Sequence, residues 1–494
     1  MRGGEDVARE ARSGLAPWSV AELPPAPNPR GLQWLGAVGP GVIVLGASIG
    51  SGEFLLGPAA FVRYGLTLLW VTAVAALLQT VFNTEIMRYT LATGEPVFTG
   101  FMRTRPRASF WAWLYVILYL LQFGWPAWAG AAAGAIFFAA TGLVPGPGDA
   151  DAVYLIGVGS FFVCVAILLV GRRIERTLEL LNWIMVTVIL GGFIVLGLVL
   201  VDGKTWLAAA AGFLGIDARS GELRLLPPGA DFFLLGAFAA FSGAGGVANL
   251  TLSNWARDKG YGMSQLSGYI PAAFGGRSVH LAHTGFTFAP TADAMARWGG
   301  WWRIVRADQW GVFFPGVLLG MALPAVLYVT FLPAGTDIRG LGIAAALAQA
   351  LSTQAGGLLG VVVAALGAWL LFKTQLDILD GMVRAITDIL WSGSARVREW
   401  RGGDVRAVYY AVLGFLVVWG VIAVRLGQPI VLLQLSANMG AVVFVIASLH
   451  LLRINTTLLP PPLRPSGWRR IVLVAQAVFY GVFVLLSFRT MLRS

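Results

Sequence analysis

Two glycine-rich interruptions constrain this chain more than any other feature. The first long apolar segment is broken at Gly46-Ala47-Ser48-Ile49-Gly50-Ser51-Gly52-Glu53-Phe54, and the sixth at Phe241-Ser242-Gly243-Ala244-Gly245-Gly246-Val247-Ala248-Asn249. Inside a bilayer, helical backbone is given up only where it is buried in protein or lines a cavity. Two corresponding apolar segments broken at mid-depth therefore point to a solute site built from discontinuous helices. An ionisable residue at that depth costs roughly 2.5 to 3.5 kcal/mol on insertion scales, which makes Glu53 a candidate functional group. Close helix packing through small residues would account for one such break. It does not account for two in equivalent positions with an acid in one of them.

Composition agrees. Hydrophobic residues make up 57% of the 494 and charged ones only 12%, with a mean hydropathy of +0.75. A soluble domain carries about 25% charged residues, so the chain belongs in a bilayer. The net charge of +11 comes from arginines in loops between apolar runs, a topology signal and not a nucleic-acid footprint. Cys164 is the single cysteine, so no disulfide framework or thiolate metal site is expected. Residues 1–30 are charged and Pro-rich with no apolar core, and read as a disordered cytoplasmic tail and not a signal peptide. Residues 31–494 read as a single transmembrane domain.

Apolar runs fall at about 34–62, 66–91, 109–141, 152–171, 178–201, 231–255, 310–332, 341–375, 405–424, 428–452 and 470–489, giving about eleven spans. Arginine and lysine concentrate before span 1 and in the loops after spans 2, 4, 6, 8 and 10. The positive-inside rule then puts the N-terminus and these loops in the cytoplasm, for a protein of the cytoplasmic membrane. Broken spans five apart predict two inverted five-helix repeats, at about 31–201 and 231–452, with an extra helix at about 470–489. The fold class expected is an all-α polytopic membrane protein with helices 1 and 6 discontinuous. Trp298, Trp301, Trp302 and Trp310 beside Arg303 and Arg306 predict an interfacial helix at the headgroups.

Where a helix unwinds, its upstream half exposes free carbonyls and its downstream half free N–H groups. Carbonyls at the negative end favour cations. Break one offers the Ala47 and Ser48 carbonyls, close backbone approach at Gly50, Ser51 and Gly52, and the Glu53 carboxylate. Break two offers carbonyls from Gly243 to Gly246 and the Asn249 amide oxygen. Such oxygens are hard ligands, suited to Mg, Ca or Mn.

These breaks resemble those of the Nramp family of divalent-metal transporters, in the amino acid–polyamine–organocation superfamily with its LeuT-like fold. Gly50-Ser51-Gly52-Glu53 stands where that family has Asp-Pro-Gly-Asn, ending seventeen residues before Trp70 of Leu68-Leu69-Trp70, and Gly39-Pro40-Gly41 lies upstream. The sixth-span Met-Pro-His-Asn falls on Gly246-Val247-Ala248-Asn249. The resemblance implies a secondary-active importer of a divalent metal by alternating access, with Glu53, Asn249 and the carbonyls of Ala47 and Gly243 as metal ligands, and with Ser51, Gly50 and Gly246 beside the substrate. The departures are large. The family's metal-binding Asp, Met and His become Gly50, Gly246 and Ala248. Losing the soft sulfur shifts the expectation to a hard cation of the Mn or Mg type. Span 3 carries Gln122 and Trp125-Pro126 where an acid for a proton route is expected. Gly50-Ser51-Gly52-Glu53-Phe54 also resembles the Gly-Ser-Gly-Ile-Phe of amino-acid permeases, so an amino acid or other small organic solute is the alternative.

Outside the breaks, Glu85 and Arg88 are spaced to pair on span 2. Lys373, Asp377 and Asp380 form one stripe of span 8, with the first two neutralising each other and all three close enough to the cytoplasmic end to snorkel. A gating role or an ion path is the lesser reading of Glu85, Lys373, Asp377 and Asp380. Asn438 on span 10 is a candidate for a hydrogen bond across the bundle. No phosphate-binding motif or nucleophile set suggests an enzyme or an ATPase partner. The partners expected are the lipid bilayer and a small cation or solute, with a monomeric transport unit, no nucleic acid and no bound cofactor. Proton or sodium coupling stays open.

Overall fold

The structure, a computed structural model, describes residues 14–50, 52–170, 174–271, 281–336, 343–426 and 429–492. Among the described residues, ten helical stretches are long and apolar enough to cross a membrane. Span 6 is absent from that set because it is split into Phe232–Ala240, of 9 residues, and Val247–Lys259, of 13. Counting it, the chain is an all-α bundle of two inverted five-helix repeats and one added helix.

Span 1 comprises Pro40–Ser48 (1a), a π turn at Gly52–Leu56, and Gly57–Tyr64 (1b). Span 2 is Leu69–Thr93, and span 3 is Ala108–Phe123 followed by Ala127–Thr141. Spans 4 and 5 are Ala150–Leu169 and Ile174–Leu200. Halves 6a and 6b are followed by span 7, Phe314–Phe331, span 8, Gly357–Gly393, and span 9, Val405–Ala423. Spans 10 and 11 are Pro429–Thr457 and Gly467–Met491. The most apolar window of span 1 is 94% buried against 28% for span 4, which places the broken helix at the centre of the bundle. Half 1a is enclosed by spans 5 and 8 and half 6b, while half 6a packs on spans 10 and 11.

Four expectations are corrected. The apolar run at 341–375 is not one helix: Gly356 sits at φ +106°, and a 37-residue helix begins after it. Lys373, Asp377 and Asp380 therefore lie in mid-helix, fully buried, and do not snorkel. The predicted interfacial helix is Ala292–Asp308, which runs through a π turn at Gln309–Phe313 straight into span 7. Its Trp298 and Trp301 are buried in protein, and Trp302 takes the Arg88 and Arg469 guanidiniums on its ring. The tail is placed from residue 14 onward. Ser19–Val20 pairs with Phe286–Thr287, Trp301 Nε1–H donates to Pro24 O, and Arg103 donates to Ala16 O.

Candidate functional site: two breaks closed by the same device

In an unbroken span 1 the Gly50 N–H would bond the carbonyl four residues back, that of Gly46. It donates to Glu53 Oε2 at 3.0 Å instead, and Ser48 Oγ lies 3.4 Å from Glu53 Oε1. The orphaned Gly46 carbonyl accepts from Lys373 Nζ of span 8. Thr374 Oγ1, one residue on, stands 3.1 Å from the Ile49 carbonyl. The buried glutamate thus opens the helix, and a buried ammonium satisfies the carbonyl that is freed.

Span 6 repeats the arrangement with neutral groups. The Gly246 N–H donates to Asn249 Oδ1 at 3.0 Å, three residues downstream as Glu53 is from Gly50. The carbonyl four residues back, that of Ser242, accepts from Gln79 Nε2 of span 2 at 3.2 Å. Gln122 Nε2 of span 3 donates to the Gly245 carbonyl, and Gln122 Oε1 accepts from the Val247 N–H at 3.2 Å. Gly243, Gly245 and Gly246 lie at φ +133°, +83° and +107°, which only glycine adopts without strain. The breaks also touch one another, since a Cβ on Gly52 would fall on the Phe241 carbonyl oxygen.

Glu53 and Asn249 are both fully buried, but each acceptor is turned onto its own break. Asn249 Nδ2 bonds Gln79 Oε1 at 3.2 Å and Asn83 Oδ1 at 2.9 Å, so its amide serves span 2. Ala47 and Gly243 are buried at the corresponding positions of the two breaks. Ser51 lies outside the described residues. No three His, Cys, Asp or Glu side chains come together as a metal cluster among the described residues.

Gln122 was named in the sequence without a role, and the structure adds Asn83, Gln79 and Asn182 to it. A hydrogen-bond chain runs from Asn249 through Asn83 to Gln309 Oε1 at 2.9 Å, and from Gln309 Nε2 to Asp308 Oδ2 at 2.9 Å. Asp308 Oδ1 then accepts from the Gly39 and Gly41 N–H groups, each at 3.0 Å, capping half 1a. The second break is therefore wired to the start of the first broken helix.

The other predicted groups have structural partners. Glu85 pairs with Arg88 at 2.7 Å as the spacing suggested, and also with Arg469 of span 11 at 2.9 Å. Asp380 accepts from Arg384, from Trp255 Nε1 at 2.9 Å and from Tyr409 O–H at 2.7 Å. Arg384 also meets Asp258, and Arg257 bridges Asp258 and Asp388. This buried network clamps half 6b to span 8. Asn438 crosses to the Phe233 carbonyl at 3.0 Å.

No protein-family model and no curated protein matches the chain. Solved structures do. A variant of the Eremococcus coleocola manganese transporter superposes with a TM-score of 0.63 at 15% identity, over 95% of this chain and 89% of that one. The same transporter in complex with an aromatic bis-isothiourea compound gives 0.58 at 16% identity, over 95% and 90%. MHP1, a nucleobase-cation-symport-1 family transporter in a closed conformation with bromovinylhydantoin bound, gives 0.53 at 14% identity, over 96% and 94%. At such identities the likeness is one of fold: this chain has the LeuT-like architecture of those transporters.

Proposed function

We propose that the protein is a secondary-active transporter that moves a small solute by alternating access around the two breaks. The observation that carries this reading is the pair of mid-bundle breaks, each with freed backbone held by side chains from neighbouring spans. A bundle with only a structural task gains nothing from opening two helices at corresponding points.

For the solute we favour a hard divalent cation of the Mn or Mg type, entering from outside. Glu53 is the acid within the breaks, and one carboxylate with neutral oxygens leaves a divalent ion partly hydrated, as Mg and Mn tolerate. Glu53 and Asn249 would have to turn from their present partners toward an ion shared with the Ala47 and Gly243 carbonyls. The second reading is a small organic solute. The amides of Gln79, Asn83, Gln122 and Asn249 clustered at break two favour it, since paired amide donors and acceptors suit a polar organic molecule. Arginine-rich loops favour a cytoplasmic N-terminus in a protein of the cytoplasmic membrane, and the transport unit we propose is a monomer.

Binding of Mn, Mg, Ca and a panel of amino acids and cyclic amides to the purified protein tests both. Under the metal reading Mn or Mg binds the wild type, and Glu53→Gln loses that binding while staying folded. Unchanged metal affinity in Glu53→Gln sinks the metal site. Binding of an organic solute with no metal response establishes the second reading.

A further inference from the structure

Spans 10 and 11 leave a groove of about 640 Å³ between them at the end of the bundle that carries the strap. Leu452 and Thr456 of span 10 form one wall, Ile471, Val474 and Ala475 of span 11 the other, and Arg470 completes the lining. The Thr456 hydroxyl donates to the Leu452 carbonyl at 2.7 Å, so that wall presents apolar surface. Trp468, two residues before Arg470, is half exposed, and a tryptophan so placed at the end of a span marks the headgroup level. With a rise of 1.5 Å per residue, Val474 and Ala475 lie about 6 to 8 Å deeper than Arg470. The groove therefore descends from the headgroups into the hydrocarbon.

The charge at its upper end is unspent. Arg470 Nε donates to the Pro465 carbonyl and Arg464 Nε to the Leu459 carbonyl, each at 2.8 Å. These neutral partners hold the guanidiniums in place and leave their charge uncompensated. Arg453, three residues before Thr456, is exposed at the same end. Their neighbours Arg88 and Arg469 share Glu85, but among the described residues no carboxylate pairs with Arg453, Arg464 or Arg470. A guanidinium fork matches a phosphate, and basic pockets between spans take anionic headgroups.

We propose that the groove holds one anionic phospholipid, its phosphate on the Arg470 guanidinium and an acyl chain along Val474 and Ala475. A soluble phosphate would answer the charge and leave the apolar walls uncovered, so the lipid is the occupant that fits both. The site lies apart from the two breaks, and the proposal holds whichever solute the carrier moves.

The test is thermal unfolding of the purified full-length protein in detergent, titrated with phosphatidylglycerol, with phosphatidylcholine of the same chains, or with inorganic phosphate. Phosphatidylglycerol is expected to raise the wild-type midpoint saturably by a few degrees, and the other two are expected to leave it unchanged. Arg470→Gln, which removes the charge, and Ala475→Trp, which fills the groove and keeps every arginine, are each expected to lose that rise. Arg396→Gln, at an exposed arginine on the loop after span 8, is expected to keep it. A phosphatidylglycerol response that is absent from wild type, or that survives in Arg470→Gln or Ala475→Trp, overturns the proposal. So does a response matched by phosphatidylcholine or by inorganic phosphate.

Discussion

At the scale of single residues, the division of labour at each break is fixed by hydrogen-bond accounting. A side chain three residues downstream captures one N–H, and a side chain from a distant span repairs the freed carbonyl. Glu53 was legible in the sequence because an acid in an apolar segment stands out. Lys373 was visible but misplaced, and Gln79 passed unremarked, because a neutral amide in a helix carries no signal until its partner is known. Gly52 admits a sharp test. A Cβ at that position would fall on the Phe241 backbone oxygen, which cannot move aside as a flexible side chain would. Gly52→Ala is expected to cost about 1 to 3 kcal/mol, the usual range for overpacking. Gly299, in a helix with open space around its would-be Cβ, is the control. Gly299→Ala should be neutral or slightly stabilising, since alanine is the better helix former by about 1 kcal/mol. Equal unfolding midpoints for the two variants would remove the close approach of the breaks from the account.

At the scale of elements, the N-terminal strap and span 8 show how charge pairing extends structure beyond apolar runs. Span 8 continues as helix through Lys373, Asp377, Asp380 and Arg384 because half 6b supplies Asp258 and Trp255 as partners. The strap is held at Arg103, which donates to Ala16 O and pairs with Glu95. Glu95 Oε1 also accepts from the Gly285 N–H at 2.7 Å, beside the Ser19–Phe286 pairing. Burial by itself would raise the Glu95 carboxyl, but the Arg103 guanidinium outweighs burial and holds it below its ordinary value of 4.5. A carboxyl lowered in the folded state contributes stability that is complete above its unfolded pKa and fades as pH falls through the folded one. The strap is therefore expected to stay in place at pH 5 and to loosen only below the ordinary carboxylate range. Glu95→Gln should loosen it at every pH. Protease cleavage between residues 14 and 30 followed against pH checks this, and cleavage at neutral pH as fast as in Glu95→Gln would contradict it.

At the scale of the whole molecule, the inverted repeats put the loops after even-numbered spans on the face that carries the strap, and the 201–230 connection on the other. Trp70 at the start of span 2 donates to the Leu225 carbonyl at 2.8 Å, tying that connection to the far end of the bundle. Cys164 is buried, so single introduced cysteines can be read cleanly. In sealed cells, a membrane-impermeant maleimide should label Ser220→Cys and spare Asp293→Cys. Labelling of the latter from outside would invert the proposed orientation.

Both breaks and the span positions other than that of span 8 were written in the sequence, because hydropathy and glycine content are local properties that the bilayer reads directly. Inverted pairing followed from the odd offset between the breaks. The depth of Lys373, the clamp around Arg384 and the choice of Gln79 and Gln122 as donors at break two were decided only by tertiary structure. Those residues act on backbone from distant parts of the chain, and which carbonyl each meets depends on where its helix starts. Gly356 sets that start for span 8 through its left-handed backbone. An apolar run without a visible stop at that glycine gave no means of locating it.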